Sequence, residues 1–230
     1  MARKSFFVTG TDTEVGKTIV SSAILEAARV MGKRTIGMKP VASGCDRTAE
    51  GLRNEDALML QAAMTESLAY DRINPVTLEP AIAPHVAAEQ AGRQLTAQRL
   101  VGFCRGLQMQ PADLMLIEGA GGWRVPLNDR ETYSEVPKEL GAGVILVVPL
   151  KLGCINHALL SAEAIRNDGL TLAGWVANRP EQEAMSCEQE TLNYLLMHLG
   201  APCLGVLPWL QEPNPRELAA SLNIDVLFEN

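Results

Sequence analysis

The nine residues Gly10-Thr11-Asp12-Thr13-Glu14-Val15-Gly16-Lys17-Thr18 constrain the fold more than any other stretch. They lie between a short apolar run, Phe6 to Val8, and a segment of helical period, Thr18 to Met31. A glycine turn between strand and helix that ends in Lys-Thr is the signature of a phosphate-binding loop. Glycines let the backbone curl until its N–H groups face inward. The helix start adds a positive dipole, Lys17 a point charge, and Thr18 a hydroxyl suited to Mg²⁺. Five residues separate Gly10 from Gly16 where the usual pattern has four, so Thr11 stands at the first-glycine place. A plain flexible turn is the alternative, and the strand-to-helix placement counts against it.

The same alternation continues along the chain. Apolar runs rich in Val and Ile predict strands at Thr35 to Met38, Leu114 to Ile117, Val144 to Val148, Leu172 to Ala177 and Cys203 to Leu207, with a last one at Ile224 to Leu227. Helical periods fall at Glu55 to Met64, Ala97 to Leu107, Asn156 to Asn167 and Glu188 to Leu199, and Gly32, Gly169 and Gly200 mark helix ends. Most of the runs are apolar at every position, as strands buried on both faces are. The expectation is a single doubly wound α/β domain over residues 1–230. Its sheet would be mostly parallel, of about seven strands flanked by helices. The Pro-rich stretch Asp71 to Gly92 reads as an ordered excursion over the sheet edge.

Composition narrows the partners. Twenty-seven acidic against 20 basic residues give a net charge of −7, the wrong sign for a phosphate-backbone grip, and aromatics are only 4%. No nucleic-acid partner is expected. Five cysteines without a CxxC pair fit a reducing, cytoplasmic location. The longest strong apolar run, Ala142 to Leu150, is too short to span a membrane, and Phe6-Phe7-Val8 is too short for a secretion signal. His85, His157 and His198 show no ligand spacing, and His198 reads as a helix-surface residue.

Further candidates stand where strands end, the place ligands occupy in open sheets. Glu118 closes a strand before Gly119-Ala120-Gly121-Gly122; it reads as a Mg²⁺ ligand or as a solvated turn acid. Asp56 begins a helix, where it could hold the same metal or compensate the dipole. Lys39 ends a strand before Pro40-Val41-Ala42-Ser43-Gly44 and either enters the phosphate crevice or lies on the surface. Lys151 to His157 is a strand-to-helix turn whose free amides could hold a carboxylate. Asn178, before Arg179-Pro180, could bond an adenine edge or start a turn.

Together, GTDTEVGKT (Gly10 to Thr18), KPVASG (Lys39 to Gly44), GLRNEDAL (Gly51 to Leu58), EGAGGW (Glu118 to Trp123), KLGCINHA (Lys151 to Ala158), LTLAGWVAN (Leu170 to Asn178) and PWL (Pro208 to Leu210) resemble the dethiobiotin synthetase family. They span nearly the whole chain. The resemblance implies a P-loop NTPase fold and a homodimeric, Mg²⁺-dependent cyclo-ligase acting on 7,8-diaminononanoate, CO₂ and ATP. It implies that Thr13, Glu14, Val15, Gly16, Lys17 and Thr18 cradle ATP, with Lys17 on the β/γ-phosphates. Gly119, Ala120 and Gly121 would line the same site, and Thr18, Asp56 and Glu118 would hold Mg²⁺. Lys39 and Lys17 would be catalytic, and Ser43 would bond a carbamate. Asn178, Arg179, Pro208, Trp209 and Leu210 would frame the nucleotide base. Leu152, Gly153, Cys154 and Asn156 would reach the partner subunit's substrate carboxylate. Arg179 departs from the family, which often has Asp there. Relatives sharing the first motif also include ATP-driven dimer switches, a reading the charge of −7 and the lack of a basic C-terminal helix oppose.

Overall fold

The computed structural model describes residues 3–229. Its strands in chain order are β1 (Lys4–Gly10), β2 (Thr35–Met38), β3 (Val41–Ala42), β4 (Asp46–Thr48), β5 (Gly51–Arg53), β6 (Val76–Thr77), β7 (Leu114–Gly122), β8 (Gly143–Pro149), β9 (Leu172–Asn178) and β10 (Cys203–Leu207). Its helices are α1 (Lys17–Val30), α2 (Glu55–Ala63), α3 (Tyr70–Ile73), α4 (Pro84–Gln90), α5 (Ala97–Gln108), α6 (Glu135–Leu140), α7 (Cys154–Asn167), α8 (Glu188–His198) and α9 (Pro215–Leu218). Six strands form one sheet in the order β10-β9-β8-β1-β7-β2, every pair parallel.

Strands β9, β8, β1, β7 and β2 are mostly buried on both faces, which is why their sequences are largely apolar, while the edge strand β10 is only partly covered. Along β1, Phe7 joins the layer of α5, α7 and α8, while Phe6 and Val8 join the layer of α1, α2 and the C-terminal segment. Met115 and Ile117 alternate with Leu114 and Leu116 on β7 in the same way. A one-residue slip in either strand would exchange the two cores.

The sheet has six strands where about seven were expected. Ile224 to Leu227 is not a strand; Asp225–Leu227 is a 3₁₀ turn. Ile224 and Leu227 are three residues apart, so one such turn puts both on the same buried face and leaves Val226 exposed. The helix α6, six residues long, had no sequence signal of its own. The Pro-rich excursion is ordered: it holds β6, which pairs with β3, and α4.

Strand β1 lies at the centre. From it the chain first runs out to β2, returns to β7 between them, then crosses to β8 on the other side. The direction of winding therefore reverses beside β1, and the carboxyl ends of β1 and β7 open the crevice where such sheets bind ligands.

Candidate active site

The phosphate loop spans the gap between β1 and α1. Glu14 (φ 58°) and Gly16 (φ 90°) both take left-handed conformations, turning consecutive amides toward one concavity. Gly16 has a second reason to lack a side chain. A Cβ there would stand 2.3 Å from Nδ2 of Asn178. That amide donates to Val15 O at 3.1 Å, so the end of β9 braces the loop from below. The Val15 side chain is buried in the core. Lys17 Nζ donates to Asp12 O at 3.3 Å across the loop. Burial lowers the Lys17 pKa, and nearby Lys39 adds to this, against the opposing pull of Glu118 and Asp56.

Beside the loop three charged groups meet. Register decides this: β7 pairs with β1 at Val8↔Glu118 and with β2 at Met38↔Ile117, which sets Lys39 level with Glu118. Lys39 Nζ lies 2.7 Å from Glu118 Oε1 and 2.8 Å from Asp56 Oδ2. Thr18 Oγ1 donates to the same Glu118 oxygen at 2.8 Å. Glu118 is 0% exposed and Lys39 5%. Burial opposes the Lys39 charge, yet the two carboxylates outweigh it and hold the ammonium above the ordinary lysine pKa. Burial likewise opposes the Asp56 carboxylate, and Lys39, Thr18 and Lys17 hold it below the ordinary aspartate value. Asp56 is aimed by its helix start, where Asn54 Oδ1 accepts from Ala57 N. The second Glu118 oxygen, Oε2, is buried without a partner.

Glu118 does not end its strand. The strand runs on to Gly122, and between the pairs Val8↔Glu118 and Gly10↔Gly122 the register shifts, bulging residues 119–121 toward the loop. A cleft of about 400 Å³ results, bringing together Thr13, Glu14, Gly16, Lys17, Thr18, Lys39, Ser43, Asp56, Glu118, Ala120 and Gly121. Gly119 does not line it; a Cβ there would press on the Phe7 ring at 2.7 Å, so its smallness serves packing. Ile19, Val41, Ala42, Met59 and Pro213 line the cleft without having been singled out. Met59 stands one helical turn beyond Asp56, a spacing that could have found it. Pro213 carried no signal.

Other expected residues lie apart from this cleft. Arg179 is bound to Glu188 at the start of α8, with Nε 3.0 Å from both carboxylate oxygens, so its guanidinium ties β9 to α8. Pro208, Trp209 and Leu210 continue from β10, next to Asn178, and are partly buried. The turn between β8 and α7 is exposed, Leu152 to 94%. Cys154, however, turns its thiol into the core and donates its amide to Lys151 O, so neither group faces outward. His198 is on the helix surface as expected. All five cysteines are free.

A looped nest of amides ending in Lys-Thr, on the central strand of a parallel sheet, defines a P-loop NTPase-like protein. Residues 4–217 match the model of the AAA domain family. Two solved structures share the fold. A ParA family ATPase from Chlorobium tepidum superposes with a TM-score of 0.57 at 13% identity, covering 99% of this chain and 92% of that one. The septum site-determining protein MinD from Pyrococcus horikoshii gives 0.55 at 16%, covering 100% and 90%. An ATP-dependent dethiobiotin synthetase of Marinobacter nauticus is 74% identical over 100% of both chains. Those of Cellvibrio japonicus (52%, 100% of both) and Pseudomonas paraeruginosa (54%, 96% of both) are also similar. The chain belongs to the dethiobiotin synthetase family.

Proposed function

We propose that this protein closes the ureido ring of dethiobiotin, joining 7,8-diaminononanoate and CO₂ while ATP becomes ADP and phosphate. The observation that carries the reading is the buried Lys39 ammonium, held between Glu118 and Asp56 at the edge of the phosphate loop. One amine adds to CO₂ and loses a proton, giving a carbamate. A carbamate oxygen attacks the γ-phosphorus, and ADP leaves. The second amine attacks the carbamoyl carbon, phosphate leaves, and the ring closes as the nitrogen sheds its proton. The substrate's own amines and the carbamate oxygen are the nucleophiles and negative charge builds on oxygen in each step, so positioning and cations suffice and no protein nucleophile is needed.

The residues divide the work by position. Loop amides from Thr13 to Thr18 hold the phosphates, with Lys17 on the β/γ oxygens. Lys39, whose raised pKa keeps it charged, faces the anion that moves from carbamate to phosphate. Ser43, on the rim, bonds the carbamate. Asn178 and Pro208 to Leu210 flank the base, on the side where β9 and β10 end. Thr18, Glu118 and Asp56 would hold Mg²⁺. They are hard oxygen donors, and the orphaned Glu118 Oε2 is a buried site for a cation. Bound there, Mg²⁺ neutralises charge on the transferring phosphoryl group. A second copy of the chain completes the substrate site. Leu152 and Gly153 of the exposed β8–α7 turn, with Asn156 in the first turn of α7, would cover the substrate carboxylate of the other subunit, which accounts for a leucine left 94% exposed. The free thiols fit a cytoplasmic setting.

The test is ADP release by the purified protein with Mg-ATP and bicarbonate, with and without 7,8-diaminononanoate. Release that requires the diamine, matched by dethiobiotin in the mass spectrum, is the expected result. Slow release indifferent to the diamine overturns the reading.

A further inference from the structure

A buried chain of hydrogen bonds runs behind the Lys39–Asp56 pair. Tyr70, on α3, accepts from Asn54 N at 2.7 Å and donates to Asn74 Oδ1 at 2.9 Å. Asn74 Nδ2 then donates to Lys39 O at 2.6 Å. Both ends of this chain matter. At one end is the backbone of Lys39. At the other is Asn54, which caps α2 two residues before Asp56 and whose Nδ2 is 3.4 Å from Ser43 O. Tyr70, Asn74 and Asn54 are each at least nine-tenths buried, and Arg53 stacks over the Tyr70 ring at 4.3 Å. None of these groups lines the cleft.

We propose that Tyr70, acting through Asn74, is a positioning residue that fixes the distance between the Lys39 backbone and the start of α2, and so places the Lys39 ammonium for phosphoryl transfer. The inference rests on the functional reading above. Its physical basis is that the two segments share no regular ladder. Lys39 follows β2, and Asn54 follows the small β4–β5 hairpin. Besides the Lys39 N bond to Ile73 O on α3 and the Asn54 Nδ2–Ser43 O contact, one hydroxyl accepts from Asn54 and donates toward the Lys39 side, and it adjusts their spacing. The Nζ–Oδ2 contact of 2.8 Å depends on that spacing. A displacement well under 1 Å at the reacting groups is enough to slow such chemistry. The ATP phosphates are held from a different base, the β1–α1 loop braced by Asn178, so nucleotide binding does not depend on Tyr70.

The test is Tyr70→Phe in the full-length protein, which keeps the ring under Arg53 and removes only the hydroxyl. Expected are a kcat about tenfold lower and an ATP KM within about twofold of the wild type. The deciding step repeats the change in a Lys39→Gln background, with dethiobiotin counted by mass. If Tyr70 acts through Lys39, its loss there lowers the residual rate by less than about twofold. Asn74→Ser, which removes the amide on Lys39 O while leaving Tyr70 in place, should give the same pair of readings and supplies them if the Phe variant does not fold. A folded variant with wild-type kcat overturns the proposal, as does an undiminished tenfold loss in the Lys39→Gln background. A wild-type protein that makes no dethiobiotin in the same assay sinks the functional reading first, and this one with it.

Discussion

Replacing Lys39 by Gln tests two roles separately, the neutralising of nearby carboxylates and the proposed stabilisation of the transferred phosphoryl group. For the chemistry, loss of a preorganised cation at the developing charge lowers kcat by roughly 10²–10³-fold, with ATP KM little changed because Lys17 and the loop amides remain. For the fold, removing one partner of a buried ion pair costs about 3–5 kcal/mol at the upper end. Two features of this site reduce that. The Asp56 side chain is 44% exposed, so water takes over much of its solvation. Glu118, fully buried, keeps the Thr18 hydroxyl and gains a carboxamide N–H, together offsetting about 1–3 kcal/mol. A net loss of about 2 kcal/mol remains, which lowers the melting temperature by about 4–8 °C in a chain of this length. The pH dependence has a definite sign. The Lys39 pKa is raised on folding, so its contribution is complete below the unfolded value of 10.5 and fades as pH climbs through the folded one. The melting gap between wild type and variant should therefore be level from about pH 6 to 9 and narrow only in stronger alkali. Product formation by mass and thermal melts across that range are the assays. A kcat within about threefold of wild type refutes the transition-state role. A gap that closes near pH 8 shows that the ammonium is not held as the geometry requires.

Gly16→Ala forces a Cβ to 2.3 Å from the Asn178 amide at a left-handed backbone position, so calorimetry should show Mg-ADP affinity falling by at least about tenfold; unchanged affinity would show that the Asn178 brace can move aside freely. Asp168 accepts from Trp123 Nε1 at 2.8 Å and from Arg124 at 2.6 and 3.1 Å. Burial works against its carboxylate, but Arg124 and Trp123 hold its pKa below the ordinary value, so the pairing stabilises above the unfolded value of 3.8 and is lost as pH falls through the folded one. Asp168→Asn should cost about 1–2 kcal/mol by denaturant titration at pH 7 and almost nothing in strong acid. Cys104 is fully buried, its thiol pushed up to about 12 by burial, whereas Cys187 is exposed. Maleimide labelling of the native protein at pH 8, read by peptide mass, should mark Cys187 and leave Cys104 untouched until unfolding; equal rates at the two would contradict the packing.

Which parts of this molecule could be read from its residues depends on the range of the forces involved. The phosphate loop was legible because its requirements are local. So were the central strands, whose apolar runs need only two covered faces. The final apolar run failed as a strand because Ile224 and Leu227 satisfy burial equally well from a single tight turn against α1. Asp56 was ambiguous for a similar reason. At a helix start the macrodipole alone would favour an acid, and only the 2.8 Å contact with Lys39 separates that role from a place in the site. Arg179 could not have been placed at all, since its partner Glu188 belongs to a helix whose docking nothing near Arg179 dictates.

The register of β7 shows the same limit at the centre of the site. Glu118 precedes the bulge of β7, Lys39 follows β2 and Lys17 opens the helix after β1, placements that direct all three to one crevice. Whether they touch depends on strand order. Because the chain returns from β2 to insert β7 beside β1, Glu118 is neighbour to both the loop strand and the lysine strand, and one carboxylate oxygen can accept from Thr18 and Lys39 together. Had β2 paired directly with β1, Lys39 would have faced Thr18 without a buried counter-charge between them. Desolvation would then be opposed only by the half-exposed Asp56, and the ammonium would be held less firmly. The insertion of β7 thus adds the Glu118 carboxylate to that of Asp56 in keeping a buried lysine charged, and a topological choice made over more than a hundred residues of chain becomes a local electrostatic fact.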